Sequence, residues 1–212
     1  MPAPITLLVA YPKEVIRAGL RVMLAGSGIR IVAEADDVTS ALSLATKHKP
    51  AVVLLDAIDS GGRAYKFVRD IRKAVPGANF VFLAAVENPT YCARAKAVGA
   101  SNVLLESVAT RELVAVIENV AAGKSAKPPE LFAKVSAAIM GKPNKMTEEA
   151  KLTPRELQVL AHVAFGLINE EIAQSLGIDL DTVKSHIYHL LRKIGARDRT
   201  HMALRAVNSS VI

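Results

Sequence analysis

Predominantly apolar runs alternate with amphipathic stretches from residue 5 to residue 122. The runs fall at 5–10, 29–34, 51–55, 79–85 and 102–105 and are built mainly from Ile, Val, Leu, Phe and Ala, with Thr6, Arg30, Glu34, Asn79 and Asn102 among them. Short runs of this kind suit strands buried on both faces of a parallel sheet. Between them, helical periodicity marks 14–25, 38–48, 63–74, 90–98 and 109–122. In the first of these, apolar residues recur at 15, 16, 20, 23 and 24. Strand and helix in strict alternation predict an α/β, doubly wound, five-stranded parallel sheet of the flavodoxin-like kind. After Ala122 the pattern stops. Residues 123–151 hold three prolines and six lysines around one helical patch at 130–140, which predicts a linker with an embedded short helix. From Leu152 onward only helical patterns remain. The chain therefore divides into an α/β domain (1–122), a linker (123–148) and an all-α, four-helix domain (149–212).

The carboxy-terminal segment opens on Thr153, Pro154 and Glu156. Thr as N-cap, Pro at the first helical position and Glu three residues on make a capping box. Asn169 can cap a short helix ending at Gly177, and Asp179 or Asp181 a longer one ending at Gly195. Two helices joined by a tight glycine-containing turn are the helix-turn-helix signature. On the second helix Val183, Ile187, Leu190, Leu191 and Ile194 share an inward face. The other face carries Lys184, Ser185, Tyr188 and Arg192, with His189 and Lys193 beside it, side chains able to reach phosphates and base edges. One solvated cationic helix face means little on its own.

Composition adds three limits. The net charge is +7, which suits a polyanionic partner, but the excess is spread over the whole chain. Cys92 is the only cysteine, so no intrachain disulfide can form, as fits a reducing cytoplasm. No apolar stretch is long enough to span a bilayer, and the amino terminus lacks the marks of a signal peptide. His162, His186, His189 and His201 crowd the last domain without a Cys or carboxylate at ligand spacing, so helix packing accounts for them better than zinc.

Taken together, "LTPRELQVL", "EEIAQSLGI", "TVKSHIYHLLRKIGARDRT" and "ALRAV" resemble the LuxR/NarL-type DNA-binding domain across residues 150–208. The resemblance implies a supporting helix at 153–165, the first helix of the motif at 169–176, a recognition helix at 181–194 and a fourth helix at 198–208 often used for dimerisation. Lys184, Ser185 and Tyr188 would then face bases, with Thr182, Arg192 and Lys193 near the DNA backbone. Two departures stand out. Glu170 replaces a frequent Lys, and Tyr188 replaces a smaller or amide side chain, so the preferred base sequence cannot be transferred from relatives.

A five-stranded sheet carrying "VVLLD" ahead of such a domain resembles a two-component response regulator, with "VIRAGL", "ADDVTSAL" and "AVGASNVLLES" as further matches. Asp56 falls on the phosphoacceptor position. The family's transfer chemistry needs Mg²⁺, which prefers hard oxygen ligands. The metal-binding acids after the first strand are replaced by Tyr11 and Pro12. The Thr or Ser that holds the phosphoryl group is Ala84, and the Lys that pairs with it is Glu106. Asp36, Asp37 and Asp59 could supply metal oxygens only by rearrangement and are better read as loop acids.

The expectation is a cytoplasmic DNA-binding transcriptional regulator, not an enzyme. Its receiver would act without phosphorylation, in dimerisation or partner binding, and no cofactor is expected, Mg²⁺ included. Its partners would be double-stranded DNA (an inverted repeat), a second copy, and a histidine kinase or other protein. Met202, Ala203, Ala206 and Val207 are the small or apolar residues expected to make dimer contacts on the last helix. The alternatives are a conventional regulator switched at Asp56 through rearranged metal ligands, an adaptor that no longer binds DNA, and an enzyme on the flavodoxin-like sheet. Against the last, no phosphate-binding glycine loop or nucleophile–base set is present.

Overall fold

Strands form where β-branched and aromatic residues can be covered on both sides, and among the described residues five do so: β1 (Ile5–Ala10), β2 (Ile29–Ala35), β3 (Val52–Asp56), β4 (Asn79–Ala84) and β5 (Asn102–Leu105). The structure is a computed structural model, and it describes residues 3–57, 63–124, 129–140 and 143–209. The strands lie parallel in the order β2-β1-β3-β4-β5, so the strand order reverses at β1 and β3, where open α/β sheets place their sites. The β1–β2 pairing slips between Leu7 and Leu8.

Two compact units make up the chain, one of residues 1–87 with 98–129, the other of residues 88–97 with 130–212. In the first, alternate strand residues divide between the two faces. Leu7, Val9, Val52, Leu54, Val81, Leu83 and Leu104 meet Leu20 and Leu24 of α1 (Glu14–Leu24) and Leu113, Val116, Ile117 and Val120 of α5 (Thr110–Ala121). The opposite parity, including Leu8, Val53 and Phe80, is fully buried as well. On that side α2 (Val38–His48) packs with α3 (Arg63–Ala74). Asp37 caps α2, its carboxylate accepting from the backbone N–H groups of Thr39 at 2.6 Å and Ser40 at 2.9 Å.

The second unit is helical: α4 (Pro89–Ala97), α6 (Glu130–Ile139), α7 (Lys145–Glu149), α8 (Pro154–Ala164), α9 (Asn169–Leu176), α10 (Leu180–Lys193) and α11 (Arg199–Asn208). Every expected element is present with ends within one residue of its expected bounds, and α7 is additional. The unexpected feature is α4. Although it follows β4 in the alternating pattern, it packs with α6 and α9. Cys92, Ala93, Ala95 and Ala97 are all buried, and small residues buried on several sides of a helix give no single inward face. Asn144 caps α7 through the Thr147 N–H, a cap the sequence reading did not anticipate.

On α10, Val183, Leu190 and Ile194 are buried as expected. Ile187 and Leu191 are half-buried. Two caps differ from expectation. Asn169 is the first residue of α9 rather than its cap, and Glu171 reaches back to the Ile168 N–H at 2.8 Å. Asp179 stands at the N-cap of α10 without a side-chain capping bond. Gly177, at φ 63°, ends α9 in the left-handed conformation that glycine adopts without a side-chain clash.

Candidate phosphoacceptor pocket and nucleic-acid interface

The register that buries Leu7 and Val9 turns Tyr11 to the same face, just as Leu54 sets Asp56 and Leu104 sets Glu106. All three residues stand at the carboxyl ends of their strands. Tyr11 is fully buried, and its hydroxyl donates to Glu106 Oε1. Lys13 Nζ donates to the same oxygen at 3.1 Å. Burial, the hydrogen bond to Glu106 and the charge of Asp56 together push the Tyr11 phenol far above its ordinary range, so it stays protonated. Asp56 also hydrogen-bonds the phenol. The bonds from Tyr11 and then Lys13 hold the Glu106 carboxyl below its usual range despite partial burial. Two carboxylates, one phenol and one ammonium thus satisfy one another.

The other expected pocket residues are placed as follows. Ala84 is buried at the end of β4, and its carbonyl accepts from the Glu106 N–H at 2.9 Å. Pro12 is exposed. Its carbonyl and that of Tyr11 accept from Arg17 Nη1, at 3.1 and 2.6 Å. Asp37 is committed to capping α2, and Asp59 lies outside the described residues, as do Gly61 and Gly62. Tested against Mg²⁺, this donor set does not fit. The phenol is neutral and already donating, Pro12 has no side-chain donor, and an ammonium occupies Glu106. Among the described residues no group of three or more His, Cys, Asp and Glu side chains is placed to hold a metal.

Sequence reading missed Lys13 and Arg17. A faint signal existed for the first, since an acid introduced at 106 next to Asp56 needs a cation, and Lys13 lies two residues beyond Tyr11.

The second candidate site is the outer face of α10. Thr182, Lys184, Ser185, Tyr188 and Arg192 are all exposed, as a helix that inserts into a major groove requires. Lys184 Nζ sits 2.9 Å from Asp181 Oδ1, but both partners are mostly in water, so the pair opens at little cost. Arg192 lies over the Tyr188 ring, its Cζ 5.8 Å from the centroid. Lys193, expected near the DNA backbone, is differently engaged. Its ammonium is 2.8 Å from Glu156 Oε2 and 3.3 Å from the Lys151 carbonyl.

Glu156 completes the expected capping box, accepting from the Thr153 N–H at 2.8 Å. Burial pushes its carboxyl upward, but the bonds from Lys193 and Thr153 outweigh burial and hold it below its usual range. Arg199, also missed, donates to Asn169 Oδ1 at 2.9 Å and to the Leu167 carbonyl. Arg94 Nε lies 3.2 Å from the buried Glu171 Oε1. His162 is buried between Gln158 O at 2.6 Å and Ser175 Oγ at 2.8 Å, and burial lowers its pKa. On α11, Met202 and Ala206 are buried in their own unit, whereas Leu204 and Val207 are about half exposed. Met202 and Ala206 are therefore spent internally, which corrects the expected dimer contacts.

Two family models match this chain. Residues 7–118 match the family model described as response regulator receiver domain, and residues 150–206 match the one described as bacterial regulatory proteins, luxR family. The transcriptional regulatory protein YxjL of Bacillus subtilis (strain 168) is 30% identical over 212 residues, covering 98% of this chain and 97% of the relative. LiaR of the same organism, also a transcriptional regulatory protein, is 28% identical over 98% of this chain and 99% of the relative. Among solved structures, the response regulator ChrA of a heme-sensing two-component system is 26% identical, with a TM-score of 0.52 over 99% of this chain and 100% of its own. RcsB, solved as two dimers bound to two parallel DNAs, shares the fold at 20% identity and a TM-score of 0.56, over 97% of this chain and 98% of its own.

Proposed function

The chain is a two-component response regulator with a LuxR-type DNA-binding domain, and we propose that its receiver domain works without phosphorylation of Asp56. The observation that carries this reading is the Tyr11–Glu106–Lys13 contact beside Asp56. Phosphoryl transfer to a carboxylate requires cations aimed at the developing charge. In this pocket the Lys13 ammonium is paired with Glu106, and a second carboxylate stands where an attractive charge would be needed. An incoming phosphoryl group would meet two anions and a phenol whose proton is already shared between them.

The output reading is transcription regulation through double-stranded DNA, in the cytoplasm, by a homodimer on an inverted repeat. A two-fold dimer presents two copies of α10 to two half-sites related by the same axis. Exposed Leu204 and Val207 on α11, and the receiver domain, are the surfaces available for that dimer. Without a phosphorylation step, the receiver's equilibrium is set by protein contacts, from a kinase acting as a binding partner or from another protein. The test is selection of bound duplexes from a random library, with and without acetyl phosphate and Mg²⁺, alongside intact-mass spectrometry. An inverted repeat enriched equally in both arms, with no phosphoryl adduct, is the expected result. An adduct that sharpens the selection returns the protein to the conventional switch, and equal weak binding to every duplex removes the regulator reading.

A further inference from the structure

We propose that Tyr188 reads a thymine in the major groove, packing its ring against the base's 5-methyl group; the proposal rests on the DNA-binding reading above. Tyr188 is 58% exposed on a helix whose Val183, Leu190 and Ile194 are buried to 4% or less. The ring stands out from the inward-facing apolar side and shares the outer face with Lys184, Ser185 and Arg192, spaced three or four residues along the helix. Leaving a large ring in water forfeits the burial an aromatic side chain ordinarily gains, so the side chain is suited to a partner that supplies apolar area.

The ring is also restrained. Arg192 Cζ lies 5.8 Å from its centroid, within cation–π range. The His189 ring flanks it at 5.8 Å with a 60° tilt. Among the described residues no carboxylate pairs with Arg192, so the Tyr188 ring is the guanidinium's intramolecular contact. A ring held this way loses less rotamer freedom when it docks.

The major groove offers donors and acceptors at guanine, cytosine and adenine, and one apolar group, the thymine methyl. The carbon edge of a tyrosine ring has no hydrogen bond to give or accept, so its complement in that groove is the methyl. The hydroxyl at the tip could instead engage a polar edge, and the experiment separates the two. In the duplex selected from the random library, each thymine is replaced in turn by deoxyuridine, which removes only the methyl. Affinity is then measured for the native protein, Tyr188→Phe and Tyr188→Ala.

The expected result is one position per half-site where deoxyuridine weakens native binding by about four-fold, the worth of one buried methyl group. That penalty should persist in Tyr188→Phe and vanish in Tyr188→Ala. A penalty retained by Tyr188→Ala, lost in Tyr188→Phe, or absent at every thymine overturns the proposal while leaving the regulator reading standing. If no operator is enriched at all, both fail together.

Discussion

The pocket at the carboxyl ends of β1, β3 and β5 and the outer face of α10 both concentrate polar side chains, and they use them in opposite ways. In the pocket, Tyr11 and Lys13 donate to Glu106, Asp56 shares the phenol, and Arg17 takes the adjacent carbonyls. The phenol proton is engaged, and the half-exposed Lys13 is paired with Glu106. On α10, Ser185 and Tyr188 face solvent, and Lys184 is tied only by an exposed ion pair. Groups that satisfy one another are held in place, and groups left in water are ready to exchange that water for a partner. The lesson extends to Lys193, which by type belongs to the second group and by its contact with buried Glu156 belongs to the first.

The comparison can be broken most forcefully by removing one member of each internal set. Tyr11→Phe takes the donor from two carboxylates, and Glu156→Ala removes both a cap and the partner of Lys193. Each should destabilise the protein by roughly 2 kcal/mol, the cost of a lost cap or of a buried polar group left unsatisfied. Urea unfolding would measure it, and a loss under ~0.5 kcal/mol for Tyr11→Phe would mean that the pocket bonds are incidental.

Next in size is DNA affinity. Lys184→Ala should weaken operator binding by about ten-fold, as loss of a direct contact does. Lys193→Ala should act mainly through stability, with a smaller change in salt dependence. Fluorescence anisotropy across a salt series separates them, and equal slopes and losses for both would erase the distinction drawn above.

Acid should act on a third group. His162 is buried and neutral with a lowered pKa, so the unfolded chain takes up its proton first, near the ordinary histidine value of about 6.5. Its contribution is fully present above that value and falls as pH drops below it, with a limiting slope of about 1.4 kcal/mol per pH unit for one proton. The lowered carboxyls of Glu106 and Glu156 keep their contributions above the ordinary carboxylate value near 4.3 and lose them below it, as pH falls through their lowered folded-state values. Unfolding curves between pH 7 and 5 should therefore lose this slope in His162→Gln.

The smallest expected effect is that of Asp56→Asn. An amide keeps the shape, can still accept from Tyr11, and removes one of two neighbouring negative charges. DNA affinity should be unchanged and stability altered by no more than ~0.5 kcal/mol in either direction. A large loss of operator binding in this variant, matched by no loss of stability, would show that the carboxylate carries a signal.

Much of this molecule was legible in the residue pattern because the forces involved are local or periodic. Short Val- and Leu-rich runs such as 51–55 read as strands covered on both sides, and their alternation with helical patterns points to a parallel sheet. The Thr153–Glu156 capping box and the turn at Gly177 depend on residues a few positions apart. The presence of Tyr11, Pro12, Ala84 and Glu106 at the ends of their strands was legible too.

What tertiary structure alone decided was which charges meet. Lys13 and Glu106 are 93 residues apart, Glu156 and Lys193 are 37 apart, and nothing in either neighbourhood specifies the partner. The packing of α4 with α6 and α9 was hidden for a related reason. A helix of small residues buried on several sides carries no amphipathic stripe to point at its neighbour. Periodicity determines which face of an element turns inward; long-range contact determines whether an exposed cation is held by the protein or left for DNA.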